Sequence, residues 1–473
     1  MMALQESSSG FRAGFELHVS LNTESKLFCG CSVAEKTAAP NSSCCEICLG
    51  FPGSKPLANR KAIEYALKLA LALNCKIAPE MRFSRKVYSY PDLAKNFQIS
   101  QFEVPLGENG FVLLDSAKKI RIKRVHLEED PAAIVHEGSV ASASSCLVDY
   151  NRSGVPLVEI VTEPDISSAG EAREFFSKIR SIIFYLDIFD ERKSVIKADT
   201  NISVDGGNRV EVKNVTGIKN IEKVLGFEVE RQKTAVKAGT GVKRETRGFD
   251  EVTSSTFSLR EKETEDDYGY IIEPDLTKIV LEKKLVKEVR DSLPELPEEK
   301  VKRLKKEFKL SEYNARVMAS DPELGKLFES AAKEVGAELA AKFLSRELLG
   351  ILNYNDLSLR ELSLSSKEII SLLKLLEQEK VSEKNAKEAT IKYVLEGVPP
   401  LKFLKGEQLL SDVPDDTLIK TVEKVMKENP KAISDLRKGE KKAMNFLVGI
   451  AMREMKGKAE ARKVQEIIKE KLK

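Results

Sequence analysis

The stretch Leu157-Val-Glu-Ile-Val-Thr-Glu-Pro-Asp165 sets one carboxylate, Glu159, inside a β-branched apolar run. A run of this composition forms a strand packed on both faces, so Glu159 is expected to be buried. A buried carboxylate is costly unless it is protonated, paired or bound to a cation. The preceding blocks, His126-Leu-Glu-Glu-Asp130 and Asp149-Tyr-Asn-Arg-Ser-Gly-Val-Pro156, bring further acids more than they bring base.

Working outward, three more segments alternate in the same manner. Phe15, Leu17, Val19 and Leu21 fall on one face of a strand, with Glu16, His18 and Ser20 on the other. In Val195–Val204 the residues Ile196, Ala198, Ile202 and Val204 oppose Lys197, Asp199, Asn201 and Ser203. In Arg209–Lys213, Glu211 opposes Val210 and Val212. If these polar faces converge, a hard divalent cation stabilises the cluster, and an oxygen-rich site suits magnesium. The alternative is that each polar face meets water, as antiparallel sheets allow. Glu159, in its apolar run, resists that alternative most.

The chain has 473 residues, 42% hydrophobic and 32% charged, with a net charge of +3. This is ordinary globular composition, and the length suggests about three domains. No apolar run approaches the roughly 20 residues that span a bilayer, and residues 1–14 lack the apolar core of a signal peptide. The expected compartment is the cytoplasm.

Seven cysteines are too unevenly spaced for a disulfide framework. Cys29-Gly-Cys31 and Cys45-Glu-Ile-Cys48 form two short pairs separated by a loop, the spacing of a tetrahedral structural zinc site. Cys44 is a possible substitute ligand, and Cys75 and Cys146 are expected to be core residues. The alternative is a set of reduced, buried thiols.

Helices are expected over Lys61–Cys75, from a capping box at Ser168-Ala-Gly-Glu171 to about Leu186, and over Ile218–Lys237. Arg85–Asp92 and Asn96–Gln101 combine aromatic, amide and basic groups that could line a nucleotide or RNA pocket. Near Pro294-Glu-Leu-Pro297 strand signals give way to amphipathic helices, which marks a boundary. The fold class is α+β: a β-rich cradle over 1–293, an all-α domain over 294–405 and a small helical tail over 406–473. Residues 431–473 carry thirteen Lys or Arg against six Asp or Glu. That excess suits a phosphate-binding surface, although a solvated helix face explains most such runs.

No G-x-x-x-x-G-K-[ST] loop is present, since Gly239-Thr-Gly-Val-Lys243 has the wrong spacing, and no G-x-G-x-x-G follows a strand. ATP chemistry in this chain would therefore run through the carboxylates and a bound metal.

Ordered blocks across the whole chain resemble the B subunits of the tRNA-dependent amidotransferases. They include Glu16-Leu-His18, Leu27-Phe-Cys-Gly-Cys31, Cys48-Leu-Gly-Phe-Pro-Gly53, Tyr90-Pro-Asp92, Gln98-Ile-Ser-Gln101 and His126-Leu-Glu-Glu-Asp130. They continue through Asp149-Tyr-Asn-Arg152, Glu159–Asp165, Asp199-Thr-Asn-Ile-Ser203, Val210-Glu-Val-Lys-Asn214, Glu245-Thr-Arg247, Glu273-Pro-Asp275, Lys441–Gly449 and Lys456-Gly-Lys-Ala459. The resemblance implies phosphorylation of the side-chain carboxylate of a mischarged Asp-tRNA or Glu-tRNA, with ATP and magnesium. Ammonia released by the amidase (glutaminase), which is the family's A-type component, would then give Asn-tRNA or Gln-tRNA. The two would work in a heterotrimer completed by a small C-type component.

The resemblance also implies that Glu16, His18, Glu128, Glu129, Glu159, Asp199 and Glu211 hold magnesium. Among them Glu159, Asp199 and Glu211 are the catalytic candidates, and Glu128 and Glu129 the nucleotide-binding ones. The tail would contact tRNA, with Lys438, Lys441, Lys442, Lys456 and Lys458 as candidates. Pro131-Ala-Ala133 replaces the family's usual Ala-Gly-Lys, and Tyr268-Gly-Tyr-Ile-Ile-Glu273 lacks its usual arginine. The chain has little room for the inserted domain of the related E subunits, which favours the B type. A non-catalytic, zinc-bearing tRNA scaffold and a free-standing phosphohydrolase are the alternatives; the absence of a glutaminase nucleophile disfavours the latter.

Overall fold

The computed structural model describes residues 10–34, 37–136, 145–261, 269–362, 364–410, 415–437, 440–455 and 461–472. It divides into two compact units, Met1–Pro297 and Glu298–Lys473.

The strands of the first unit, in chain order, are β1 (Phe11–Ser20), β2 (Lys76–Ile77), β3 (Glu80–Met81), β4 (Ser84–Val87), β5 (Phe97–Ser100), β6 (Gly107–Leu113), β7 (Lys119–Glu129), β8 (Ala133–His136), β9 (Cys146–Asp149), β10 (Pro156–Thr162), β11 (Lys197–Val204), β12 (Val210–Thr216), β13 (Glu245–Asp250), β14 (Ser255–Glu261), β15 (Gly269–Ile272) and β16 (Ile279–Val280). Its helices are α1 (Arg60–Ala72), α2 (Ala169–Leu186), α3 (Ile218–Lys237) and α4 (Lys283–Asp291).

Nine strands form one sheet in the order β14-β13-β12-β11-β1-β10-β7-β6-β2. Neighbours run antiparallel except β12 and β13, which are parallel. The first strand of the chain is thus the middle strand of the sheet. One face carries Phe15, Leu17, Val19, Val158, Ile160, Ala198 and Ile202, all buried, in a core shared with α1, α2 and α3. Phe15 meets Phe176 of α2 edge-on, with ring centroids 4.7 Å apart. Each such side chain contributes roughly 1.5–3 kcal/mol of burial free energy. With this face sealed by helices, the alternating Glu16, His18, Asp199 and Asn201 are committed to the other face.

The helices follow their local signals. The Ser168 Oγ caps α2 by accepting from the Glu171 N–H at 3.1 Å. The Glu171 carboxylate reaches back one residue further than a capping box requires, accepting from the Ser167 N–H at 2.8 Å. Asp187 closes α2 in the left-handed region at φ 53°. Helix α3 runs over Ile218–Lys237, the expected span, while α1 ends at Ala72, short of Cys75.

The aromatic and basic segment around Tyr88 becomes β4 and β5, paired with β15 in a small sheet of order β15-β4-β5. Gln98 and Gln101 tie it to β7, donating to the Glu129 carbonyl at 2.7 Å and accepting from the Leu127 N–H at 2.9 Å. Cys75 is buried, as expected, but Cys146 is only half-buried. It starts β9, whose only strand partner among the described residues is β8, and a two-stranded ribbon cannot enclose its own side chains.

Among its described residues, the second unit is helical throughout. It carries two hydrophobic clusters, one from Val301 to Leu404 and one from Leu418 to Ile468. Phe308, stacked edge-on against Phe328 at 5.3 Å, anchors the first. Leu447, Val422, Val464 and Ile468, each fully buried, centre the second. Among the described residues, no helix is long and apolar enough to cross a membrane.

Candidate active site and thiol cluster

Register brings the polar residues together. Glu16 pairs with Asp199 across β1 and β11, and His18 pairs with Glu159 across β1 and β10. Glu159 in turn pairs with His126 of β7. Asn201 pairs with Glu211 across β11 and β12. One polar row therefore crosses five adjacent strands on the face that the helices leave open.

Two groups of possible metal-ligating atoms result, His18 with Glu128 and Glu159, and Glu16 with Asp199 and Glu211. Within each group the ligating atoms lie within 4.8 Å of one another. The donors are five carboxylates and one imidazole, an oxygen-rich set of the kind a magnesium ion accepts.

The charges in this row are strongly interdependent. Glu159 is only 7% exposed. Although burial opposes its ionisation, the imidazoles of His126 and His18 hold its carboxyl well below the usual range. Both imidazoles approach the same oxygen, His18 Nε2 at 3.5 Å and His126 Nε2 at 3.4 Å. They titrate in opposite directions. Burial presses His126 down to about 4, so it is neutral at physiological pH. Burial opposes the charge on His18 too, but its hydrogen bond to Glu159 and the charges of Glu159 and Glu128 carry it up to about 10. Glu128, 3.6 Å from His18, is pushed up to about 7 by burial and by the Glu159 charge.

In the other group, burial and three neighbouring carboxylates raise Glu16. Asp199 stays low despite its burial, because of the charges of Lys213 and His18 and the Asn214 N–H at 2.8 Å. The Lys213 ammonium lies 2.7 Å from Asp199 Oδ2 and 3.4 Å from Glu211 Oε1. Asn201 donates to Glu16 Oε1 at 3.0 Å, and Thr246 to Glu211 Oε2 at 3.3 Å.

Six of the seven expected magnesium ligands thus meet on one face. Glu129 stands apart. It follows Glu128 directly along β7, so strand alternation turns it to the opposite side. There it pairs with Lys95 at 2.7 Å and accepts the Ile99 N–H at 2.8 Å. His126 and Lys213 join the row although the sequence did not single them out as site residues. For Lys213 the signal was present, because it lies two residues beyond Glu211 and shares its face.

The carboxylate row lines two cavities, of about 790 Å³ and 650 Å³. Glu16, Glu128 and Glu159 border both.

Cys29, Cys31, Cys45 and Cys48 bring their four sulfurs within 4.8 Å of one another. Lys26, with no exposed surface, points into this cluster. Its Nζ donates to Ser43 O at 2.8 Å and Tyr150 O at 3.2 Å, and reaches Cys48 Sγ at 3.5 Å. A hydrogen bond from Cys29, the Cys45 N–H and the Lys26 charge draw the Cys48 thiol down to about 4 against its burial. The Cys29 thiol is raised, chiefly by its hydrogen bond to Cys48, and burial pushes Cys31 up to about 11, so without a cation the four sulfurs share their protons unevenly; the thiolate is the form that ligates a metal. Cys44 lies outside the four, its Sγ 3.8 Å from Asn151 Oδ1. Of the tail lysines, Lys442 is exposed on a helix over Lys441–Glu454. Lys441 begins that helix, and Lys438, Lys456 and Lys458 lie outside the described residues.

Residues 11–287 match the model of the GatB/GatE catalytic domain, and residues 326–472 match the GatB domain. The chain belongs to the GatB/GatE family. The GatB/GatE catalytic domain thus takes in every strand among the described residues and both groups of ligating side chains. Relatives agree across nearly the whole length. A protein of Thermotoga petrophila, named as the B subunit of aspartyl/glutamyl-tRNA(Asn/Gln) amidotransferase, is 44% identical over 96% of this chain and 97% of its own. Proteins of the same name from Methanococcoides burtonii and Carboxydothermus hydrogenoformans are each 39% identical. They cover 98% and 97% of this chain, and 98% of their own lengths.

Proposed function

We propose that this chain is the B subunit of a tRNA-dependent amidotransferase and activates the side-chain carboxylate of Asp or Glu carried on a mischarged tRNA. The observation that carries this reading is the convergence of Glu16, His18, Glu128, Glu159, Asp199 and Glu211 on the open face of the sheet, in a chain alike over its whole length to proteins of that name. A carboxylate is a poor acylating agent and needs a better leaving group. Its oxygen attacks the γ-phosphorus of ATP, the bond to the ADP oxygen breaks, and an acyl phosphate forms. Ammonia from a separate amidase then attacks the acyl carbon, and phosphate departs.

Magnesium held by these six side chains would neutralise the phosphate charge during transfer. Lys213 supplies a fixed positive charge in the row and orients Asp199 and Glu211. Neutral His126 fixes Glu159 from the side opposite His18. The four cysteines are proposed to hold a structural zinc ion, with Lys26 offsetting the thiolate charge. The helical tail beyond residue 406, with its basic excess, is proposed to contact tRNA in the cytoplasm, within a heterotrimer of this chain, the amidase and a small third protein.

The test is ADP formation and tRNA amidation by the full chain, with and without its amidase partner, in the presence of magnesium, ATP and Asp-tRNA or Glu-tRNA. Turnover that requires mischarged tRNA and yields Asn-tRNA or Gln-tRNA supports the reading. Turnover without tRNA would replace it with a phosphohydrolase, and tRNA binding without turnover with a scaffold.

A further inference from the structure

The loop between the two cysteine pairs reaches beyond the thiol cluster. Its residues Val33, Ala34 and Ala38 border the larger cavity beside the carboxylate row, together with Asp149, Asn151 and Arg152. The last two belong to the strap that joins the end of β9 to the start of β10. Loop and strap are bonded to each other along their length. Asn41 donates its N–H to Asp149 Oδ1 at 2.9 Å and accepts from the Tyr150 N–H at 2.7 Å. Asn151, 7% exposed, bonds the loop through both ends of its amide. Its Oδ1 accepts from the Ser43 N–H at 2.7 Å and its Nδ2 donates to Ala39 O at 2.7 Å. The buried Lys26 ammonium reaches the strap through Tyr150 O, and Ser153 Oγ donates to Cys48 O at 2.9 Å.

The other side of the strap holds the end of β7. Arg152 Nε donates to Pro131 O at 2.9 Å and its Nη2 to Ala132 O at 2.6 Å. Asp130 donates its N–H to Val155 O at 2.8 Å and accepts from the Gly154 N–H at 2.9 Å. Gly154 holds φ at 83°, a conformation that glycine adopts without strain, and its carbonyl accepts from the Leu27 N–H at 2.8 Å. Glu128, a member of the carboxylate row, lies two residues before Asp130 on β7. A continuous set of hydrogen bonds thus runs from the four sulfurs, through the strap, to the strand end that carries a ligating carboxylate.

We propose that Asn151 and Arg152 are positioning residues that couple the cysteine cluster to the carboxylate row, so that a metal held by the four sulfurs raises the affinity of the row for its divalent cation. This inference rests on the metal-binding row proposed above. The partners of Asn151 lie between the two cysteine pairs, and closing those pairs around one ion fixes the loop that presents them. Without the ion, holding the loop in place has to be done by the same hydrogen bonds that hold the strap. A strap that loosens leaves the buried Asn151 amide with bonds unmade and frees the Arg152 fork from Pro131 and Ala132. Glu128 is one of three ligating side chains in its group, and groups that orient a ligand from behind bear on metal affinity nearly as much as the ligand does.

The test titrates Mn2+ binding to the full chain by paramagnetic resonance, before and after a chelator removes zinc, and repeats it on Asn151→Ala and Arg152→Gln. Zinc removal is expected to weaken Mn2+ binding by the unaltered chain about tenfold. Asn151→Ala should weaken it about as much with zinc in place, and zinc removal should then have no further effect; Arg152→Gln should behave in the same way. A cluster that serves stability alone predicts a lower melting temperature on zinc loss with Mn2+ affinity unchanged, and that result overturns the coupling. Linkage supplies a second measurement on chain that stays loaded and folded. Zinc affinity, read by competition with a zinc-selective chelator, should rise about tenfold when Mg2+ saturates the row, and Asn151→Ala should abolish the rise. Zinc affinity indifferent to Mg2+ would also overturn the coupling, while leaving the proposed activity standing. Failure of the unaltered chain to bind Mn2+ at all would overturn the activation site as well.

Discussion

Glu159 Oε2 lies 3.5 Å from His18 Nε2, and the two residues are directly opposed in the register of β10 and β1. The contact belongs to the backbone pairing itself, so its geometry is set by the sheet and not by a mobile loop. A change from carboxylate to amide at this point keeps the shape and removes the charge. Glu159→Gln is expected to abolish tRNA-dependent ADP formation while leaving the affinity for tRNA within about twofold. Parallel turnover and filter-binding assays check it, and unchanged turnover would remove Glu159 from the site.

Lys213 offers a different test, because it neutralises a carboxylate pair that a divalent cation would also neutralise. Replacing Lys213 with Met leaves Asp199 and Glu211 without their ammonium partner and should destabilise the metal-free protein by about 3 kcal/mol. Added Mg2+ or Mn2+ should then raise the melting temperature of the variant more than that of the unaltered chain. Equal metal-induced shifts in the two proteins would show that Lys213 and the cation do not share these ligands.

The thiol cluster predicts a metal content that can be counted. The purified chain should carry one zinc ion, and Cys48→Ser should lose it. A chelator strong enough to strip the ion should lower the melting temperature of the unaltered chain and have no further effect on the variant. Cys44→Ser should retain zinc, because Cys44 stands outside the four converging sulfurs. Elemental analysis of the three proteins decides the matter.

Glu228 supplies the pH dependence. It has no exposed surface and sits between Arg231 at 2.8 Å and Arg247 at 3.2 Å. Although burial opposes its charge, hydrogen bonds from Arg231, Gln232 and Thr256 hold its carboxyl below the ordinary value of 4.5. A carboxyl lowered by folding adds stability that is fully present above its unfolded pKa and is lost as pH falls through the folded value. Stability should therefore decline below about pH 4.5. Glu228→Gln, which leaves Arg231 and Arg247 to share the single carboxylate of Glu245, should cost about 3 kcal/mol at neutral pH and flatten that acid decline. Denaturant melts from pH 3 to pH 7 measure both effects.

What the sequence disclosed was whatever depends on local period. The alternation in Phe15–Leu21 assigned Glu16 and His18 to one face, and the apolar run around Glu159 gave its burial. The Ser168 cap and the limits of α3 were equally local. What it hid depends on register between distant strands. That Glu16 faces Asp199 is a pairing between residues 183 positions apart, and alternation alone does not reveal it. Glu129 shows the converse. Carrying both glutamates of Glu128-Glu129 over from a motif set aside the rule that neighbours on a strand point apart. The Lys26 ammonium beneath the cysteines gave no signal, since a lysine in a loop reads as solvated until the fold encloses it. The two cavities were also invisible, because each draws residues from many separate segments of the chain.

The central position of β1 has a consequence for synthesis. It leaves the ribosome well before its two partners, which begin at Pro156 and Lys197. At cellular rates of translation, roughly 10–30 s separate its emergence from that of its two neighbours. Throughout that interval an apolar face made by Phe11, Phe15, Leu17 and Val19 is uncovered and open to other chains. Only segments such as α1, which shares this core, can cover part of that face before residue 204 has emerged. The order in which the gene is read thus bears on whether the catalytic face forms at all.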